Sequence, residues 1–148
     1  MNELEAALGI GCLEHYDEIL STRHHNLMNM IAHFNQYSEY FISFAEEFHE
    51  TIGPHAFPLV MRENCPFDRD ELMIFLEKNG IDARTLFSSI PTQCGGYEFL
   101  GYKIGDFPCA EFVGLNGIHI GVHQGITDAD VNWLMEKIAL FIKKTSKC

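Results

Sequence analysis

The order of its segments predicts that this chain folds as an α+β domain, a small sheet covered by helices. Two helical segments come first, and short strand-like segments then alternate with helical ones. With 148 residues, 47% of them hydrophobic and 21% charged, the chain has the size and composition of one domain with a buried core. We therefore predict a single domain over residues 1–148, with a helical segment at 1–36 and an α+β unit at 37–148.

The first two segments are helical by the spacing of their apolar residues. Asn2, with Glu5 three residues later, is a near relative of a capping box, and apolar residues follow at helical intervals as far as Ile19. A second helical pattern runs from Ser21 to Phe34. Small residues interrupt the first helix, although each glycine there costs about 1 kcal/mol relative to alanine. We interpret them as a close contact with another body; a locally poor helix is the alternative.

The middle of the chain predicts three strands and a helix. We assign strands to 41–45, to the stretch around Pro58, and to 81–87. Proline lacks a backbone donor, which places its strand at an edge or near a strand start. Asp68 caps the helix between the second and third strands, and Gly80 is suited to end it in a left-handed conformation.

The last part of the chain begins with a glycine- and aromatic-rich loop at 88–108. It is too long for an ordinary connection, and loops of this kind are usually functional. A short helix at 109–115, a strand at 118–123 and a final helix capped by Thr127 follow.

The strand at 118–123 has two different faces. Its aliphatic residues alternate towards the core, whereas His119, Gly121 and His123 point to the opposite side. That polar face is either simply hydrated or, in a larger protein, a wall of a ligand cleft. The two histidines are about 13 Å apart along a strand, whereas each zinc–nitrogen bond is about 2.0–2.1 Å, so they cannot share one ion. We expect no metal site.

Charge and cysteine content exclude several classes of partner. A net charge of -11 and a pI near 5.0 disfavour nucleic acid and anionic membranes. The amino terminus is acidic, and no apolar run approaches the roughly 20 residues of a membrane-spanning helix. Five cysteines without a CxxC pair predict reduced thiols rather than a disulfide framework. We expect a cytoplasmic protein without an export signal.

Arg84 is the clearest candidate for anion binding. It lies near the end of a strand and before the long loop, where a guanidinium can bind a carboxylate or phosphate. A surface ion pair is an equal alternative. The glycines of the loop do not form a phosphate-binding motif, because neither GxxxxGK[ST] nor a strand–GxGxxG–helix sequence is present.

Nearly the whole chain resembles the carboxy-terminal part of the DegT/DnrJ/EryC1/StrS family of pyridoxal-phosphate sugar aminotransferases. Three collinear segments carry the resemblance: "MNELEAALGIGCLEHYDEILSTR", "FDRDELMIFLEKNGIDARTLF" and "GDFPCAEFVGLNGIHIGVHQGITDADV". The pattern "DELxxFLExxGIxxRxLF", followed by a glycine–histidine strand, is similar to the branch of nucleotide-sugar 3-dehydrases. The resemblance implies the small C-terminal domain of a fold-type I pyridoxal-phosphate-dependent transferase.

The resemblance also implies that a large N-terminal domain is absent. In the family that domain supplies the Schiff-base lysine, or a histidine in the dehydrases, and the aspartate that pairs with the pyridine nitrogen. No lysine of this sequence lies in the desolvated setting that a Schiff base needs; the lysines are Lys78, Lys103, Lys137, Lys143, Lys144 and Lys147. We expect a fragment that is not catalytic alone and binds neither pyridoxal phosphate nor pyridoxamine phosphate alone.

The complete enzyme implied by the resemblance acts on a nucleotide-sugar in deoxy- or amino-sugar biosynthesis, for example for lipopolysaccharide or another surface polysaccharide. In it, the substrate cleft would be bordered by Arg84, Ser88, Gln93, His119 and His123. The first helix would face the large domain or a dimer partner, and we expect a homo-oligomer formed through residues 1–20. The alternatives are a stand-alone α+β module that binds an anionic small ligand, and a structural or oligomerisation domain.

Overall fold

A computed structural model of the chain describes residues 2–87 and 90–145. In this part of the chain, a four-stranded antiparallel sheet of order β1-β2-β4-β3 packs against helices, as predicted. The strands are β1 Phe41–Ile42, β2 Ala56–Met61, β3 Ala83–Thr85 and β4 Gly117–Gly121. The helices are α1 Glu3–Glu14, α2 Tyr16–Phe34, α3 Arg69–Lys78, α4 Pro108–Asn116 and α5 Asp128–Thr145. No helix in the described residues is both long and apolar enough to cross a membrane.

The core lies between the central strands and the two long helices. Phe57 and Leu59 of β2 and Ile118 of β4 are fully buried, together with Leu27 of α2 and Ile138 of α5. Alternate residues of β2 are buried and half-buried, which is the pattern of a strand with one covered face. The buried residues form one continuous cluster, as expected for a single hydrophobic core.

The predicted helix boundaries are confirmed where a capping residue defines them. Asn2 and Asp68 each form a full capping box, with Glu5 and Glu71 respectively. Gly80 follows the C-cap residue of α3 and has φ +77, which is the left-handed conformation that favours glycine, so the helix ends there.

The boundary between the first two helices was predicted wrongly. The chain bends at His15, where φ is -107 and ψ is 14, and α2 begins at Tyr16 rather than at Ser21. The hydroxyl of Ser21 donates to the carbonyl of Glu18 within the helix. A serine that bonds to the preceding turn in this way does not cap a new helix, so the helix continues through it.

The first strand is shorter than the predicted 41–45, and Pro58 explains why. Antiparallel pairing puts Ile42 opposite Val60, and the amide of Arg62 donates to the carbonyl of Tyr40. The backbone groups of alternate residues in a strand point to the same side, so those of Pro58 point towards β1, as those of Val60 and Arg62 do. The ring nitrogen of Pro58 has no hydrogen to donate there. Continued pairing of β1 would therefore lack a ladder hydrogen bond. The expected position of Pro58 near a strand start is confirmed, because β2 begins at Ala56.

The last strand was also predicted too long. It ends at Gly121 rather than at residue 123, although Ile118, Ile120 and Val122 are all buried as expected. Before it, the long loop contains two short 3-10 segments, Pro91–Gln93 and Gly95–Leu100. After it, Thr127 caps α5, accepting the amide of Asp130 at 3.3 Å while its own amide donates to the carboxylate of Asp130 at 2.8 Å.

Candidate functional site

A shallow polar depression forms where β3 and β4 pair. Arg84 lies directly opposite His119 in the antiparallel register, and Pro58 of β2 lies opposite His119 on its other side. The depression has a volume of about 220 Å³, and its lining consists of His55, Ala56, Asp82, Arg84, His119 and Gly121. The structure thus brings together two of the predicted cleft residues, Arg84 and His119.

Arg84 is held in place loosely. Its Nη2 lies 3.3 Å from Oδ2 of Asp82, and the side chains of Arg84 and Asp82 are 73% and 76% exposed. An ion pair this exposed contributes at most about 1 kcal/mol. A guanidinium has five N–H donors, so Arg84 retains several for a ligand. The surface ion pair expected from the sequence is present, and anion binding by Arg84 stays a prediction.

His123 lies outside this depression. β4 ends at Gly121, and the turn closed by the hydrogen bond from the amide of Ile126 to the carbonyl of His123 comes after His123, so a face shared with His119 stays a prediction. The amide of Gly125 donates to Nδ1 of His123 at 3.0 Å. In the neutral ring, that bond leaves the proton on Nε2, which can act as a donor to a ligand.

Gln93 lies in a different place from Arg84 and His119. Its Nε2 donates to Oε1 of Glu111 at 2.6 Å and to the carbonyl of Lys103 at 2.8 Å. Both donors of this amide are therefore used inside the loop. Ser88, the remaining predicted cleft residue, lies outside the described residues.

Glu111 is an organising residue that was not predicted from the sequence. Its Oε1 accepts hydrogen bonds from the side chain of Gln93 and from the amides of Gly105 at 2.8 Å and Phe107 at 3.2 Å. The bond from Gln93, followed by that from Gly105, lowers the pKa of this carboxyl below its ordinary value. Glu111 thereby fixes the loop to the start of α4.

Glu111→Gln should loosen this loop, and the effect should depend on pH. A lowered pKa means that the carboxylate stabilises the fold at neutral pH and that this contribution is lost as pH falls below its ordinary value of 4.5. We expect a lower urea midpoint for the variant at pH 7 and a smaller difference from the parent at pH 3. Glu136→Gln, on the exposed side of α5, is the matched control. Equal midpoints for the parent and Glu111→Gln at pH 7 would contradict the role of Glu111.

The other reactive side chains do not form a second site in the described residues. No group of three or more His, Cys, Asp or Glu there is arranged to hold a metal, and the expectation of no metal remains a prediction. Cys12, Cys65, Cys94 and Cys109 are free thiols. Burial raises the pKa of the Cys65 thiol, which makes it a poor nucleophile at neutral pH.

The lysines do not fit the anchor of a pyridoxal phosphate. Nζ of Lys137 lies 3.7 Å from the ring centroid of Trp133, and that of Lys144 lies 5.6 Å from the ring centroid of Phe75. Lys78, Lys103 and Lys143 are exposed, and Lys147 lies outside the described residues. A Schiff-base lysine needs a desolvated pocket. None of the described lysines has that environment.

Residues 1–139 match the DegT/DnrJ/EryC1/StrS aminotransferase family. The chain belongs to this family. It is 32% identical over 91 residues to a dTDP-4-dehydro-2,6-dideoxy-D-glucose 3-dehydratase of Saccharopolyspora spinosa, across 61% of this chain and 20% of that protein.

Solved structures share the fold over most of the chain. A putative sugar aminotransferase of Streptococcus pneumoniae superposes with a TM-score of 0.81 at 20% identity, over 99% of this chain and 36% of its own. The GDP-4-keto-6-deoxy-D-mannose-3-dehydratase of E. coli, with bound hydrated PLP, superposes with a TM-score of 0.69 at 21% identity, over 88% of this chain and 33% of its own. The chain therefore spans about a fifth to a third of the length of these relatives.

Proposed function

We propose that this chain forms the small-domain wall of the substrate cleft in a pyridoxal-phosphate-dependent enzyme that acts on a nucleotide-linked sugar, by transamination or by 3-dehydration. The observation that carries the proposal is the pairing of Arg84 with His119 in register on a polar sheet face, in a chain that belongs to this family. The names of two relatives, a dTDP-sugar dehydratase and a GDP-sugar dehydratase, support a substrate that carries a diphosphate.

Arg84 binds an anionic group of the substrate in this proposal. A guanidinium forms paired charge-assisted hydrogen bonds with phosphate oxygens, and such bonds are stronger than its loose contact with Asp82. His119 adds a neighbouring donor, and Gly121 keeps the floor of the depression free of a side chain. Asp82 balances the charge of Arg84 in the depression, and an anionic ligand would have to replace this exposed carboxylate as the partner of Arg84.

The other predicted cleft residues take supporting roles in the proposal. His123 offers its Nε2–H from the turn after β4, at a second point of the cleft. Gln93 acts through Glu111 as a positioning residue that holds the loop over 93–107. Ser88 remains a predicted cleft residue.

The cofactor belongs to the complete enzyme and not to this chain alone. Pyridoxal phosphate, when bound there, supplies the electron sink for the chemistry at the sugar. The residues of this chain orient the substrate and shape the cleft, and none of its described lysines provides the anchor. We therefore propose that the chain is not catalytic by itself.

A stand-alone binding module is the second candidate. One observation favours it: the depression around Arg84 and His119 is formed entirely by this chain. Such a module has to bind its ligand without help, whereas a cleft wall needs the facing domain. The two functions therefore differ in the affinity expected for the isolated chain.

Titration of the isolated, isotope-labelled chain with thymidine diphosphate tests both candidates by NMR. A cleft wall should bind weakly, with millimolar affinity, and shift the amide signals of Arg84, His119 and Gly121. Arg84→Gln should weaken binding about 10-fold or more, because a hydrogen bond to a charged group contributes about 1.5–3 kcal/mol. Lys143→Gln on α5 is the matched loss of a positive charge.

The outcomes separate the candidates. Micromolar binding that depends on Arg84 would favour the stand-alone module. Two results would show that the depression is not the binding site and so contradict both candidate functions. One is a set of shifted signals elsewhere on the surface; the other is binding that Arg84→Gln and Lys143→Gln weaken equally.

The isolated chain should also bind no pyridoxal phosphate at a specific lysine. The exposed lysines lack the desolvation that favours a stable Schiff base, so incubation followed by borohydride reduction should give only scattered, substoichiometric labelling. Mass spectrometry of the peptides measures this. One lysine that is labelled stoichiometrically would contradict the proposal that the cofactor is held elsewhere.

A further inference from the structure

We propose that a crevice beside the Arg84 depression binds the nucleoside of the substrate, with the base against Trp133 and the ribose at Asp82. The substrate then carries a ribonucleoside diphosphate. The inference rests on the proposed function, which places the diphosphate at Arg84, and it deepens that function by naming the kind of nucleotide. It is carried by the position of the crevice, by its lining, and by the chemistry of these two side chains.

The crevice opens at the end of the sheet where β3 begins and β4 ends. It has a volume of about 280 Å³ and extends from there to the first two turns of α5. Aliphatic side chains with an aromatic ring and a few polar groups are typical of small-molecule sites. The lining of the crevice has this composition, and it includes Gly80, Ile81, Asp82, Gly121, Ile126 and Trp133.

The crevice and the depression are adjacent, because Asp82 and Gly121 line both of them. Gly121 contributes no side chain that would separate the two. The depression has a volume of about 220 Å³, so neither part alone reaches the roughly 300–1,000 Å³ that is usual for a small-molecule site, whereas the two together do. A ligand that is bound at Arg84 can therefore extend past Asp82 into the crevice.

Trp133 provides a stacking surface for a base. Its side chain is 48% exposed, and Nζ of Lys137 lies 3.7 Å from the centroid of its ring. The ammonium group covers one face of the indole and leaves the opposite face for a ligand. Stacking on an aromatic side chain holds a base whatever its identity, since every base has a flat π surface. Trp133 therefore favours a nucleobase without selecting which one.

Asp82 lies between the anion and the base, which is where a nucleotide carries its ribose. Its carboxylate is 76% exposed and lies 3.3 Å from Nη2 of Arg84. Once a diphosphate replaces it as the partner of Arg84, this carboxylate is free to accept hydrogen bonds from hydroxyl groups. Acidic side chains accept ribose hydroxyls in dinucleotide sites in the same way. A ribose offers two such hydroxyls and a deoxyribose offers one, so Asp82 selects a ribonucleotide.

Titration of the isotope-labelled chain with three probes tests this proposal by NMR. The probes are uridine diphosphate, its 2′-deoxy analogue and inorganic pyrophosphate. We expect uridine diphosphate to shift the amide signals of Arg84 and His119 together with the indole N–H signal of Trp133, which is the only tryptophan in the sequence. Pyrophosphate has no base, so it should shift the two amide signals and leave the indole signal in place.

Three variants separate the base from the ribose. Trp133→Ala should weaken uridine diphosphate binding about 5-fold or more and leave pyrophosphate binding unchanged, whereas Trp133→Phe should retain most of the affinity. In the parent chain we expect uridine diphosphate to bind about 5-fold more tightly than its deoxy analogue, and Asp82→Ala should abolish this preference. Leu140→Ala, at a 41% exposed position two turns along the same face of α5, is the matched control and should bind as the parent does.

The contrary results are distinguishable. Shifts at Arg84 without a shift of the Trp133 indole would overturn this proposal and leave the proposed function intact, and so would equal affinities for the two nucleotides in the parent chain. Loss of pyrophosphate binding in Trp133→Ala would also overturn it, because the indole would then support the fold rather than the base. Absence of any binding that depends on Arg84 would overturn the proposed function and this proposal with it.

Discussion

Phe57→Ala should lower the free energy of unfolding by about 3–5 kcal/mol, which is the usual cost of removing a buried phenylalanine. Phe57 is fully buried in β2, between β1 and β4 in the sheet. Its ring centroid lies 5.0 Å from that of Phe34 in α2 and 6.3 Å from that of Phe44. Truncation therefore opens a cavity where the sheet, α2 and the chain after β1 meet.

Urea denaturation followed by far-ultraviolet circular dichroism measures this effect. Domains of this size have a total stability of about 5–15 kcal/mol, so the variant should be partly unfolded even without denaturant if the parent lies near the lower limit. Phe48→Ala removes the same atoms from a fully exposed position and should change the stability by less than about 0.5 kcal/mol. Similar effects for the two variants would contradict the assigned core.

The elements with local signals were the ones predicted well from the sequence. Asp68 and Glu71 define the start of α3 within four residues, and Gly80 defines its end through a conformation that few other residues adopt. The stripe of apolar residues along α5 likewise follows from helical periodicity, and those residues are buried. In each case the information lies within one or two turns of chain.

Strand lengths were predicted less well because they depend on a partner strand. The end of β1 follows from Pro58, but only after the register that brings Pro58 towards residue 44 is known. The end of β4 depends on a turn that is fixed by Asn26, which lies 97 residues earlier in the chain. No local pattern around 121–123 contains that information.

The candidate site was predicted in part for the same reason. Arg84 and His119 were both selected from the sequence, and their pairing follows from the β3–β4 register. Gln93 was selected as a cleft residue, whereas its amide bonds within the loop. Glu111 was missed because it lies four residues after the N-cap Phe107 rather than the three of a capping box, and Phe107 has no side-chain acceptor, so no recognisable motif is present.

Asn26→Asp should lower the free energy of unfolding by about 3–5 kcal/mol at pH 7, because it places an uncompensated charge in a buried position. Asn26 is only 2% exposed, and its Nδ2 donates to the carbonyls of His123 at 3.0 Å and Ile126 at 3.1 Å. This amide joins α2 to the turn that carries His123. The carboxylate has the same shape but no donor, and its oxygens would face two carbonyl oxygens.

The pH dependence of this variant distinguishes a buried charge from a simple loss of hydrogen bonds. Burial and the facing carbonyls should raise the pKa of the introduced carboxyl above that of an unfolded aspartate, which is about 3.9. The folded state then binds more protons than the unfolded state, so the variant loses stability as pH rises above about 4 and its deficit is smallest below that pH.

Asn26→Ala also breaks both hydrogen bonds but carries no charge, so its deficit relative to the parent should not change with pH. Asn132→Asp, on the exposed face of α5, should cost less than about 0.5 kcal/mol. Urea midpoints at pH 4 and pH 7 measure all three variants, and equal deficits for Asn26→Asp at the two pH values would show that position 26 is open to water.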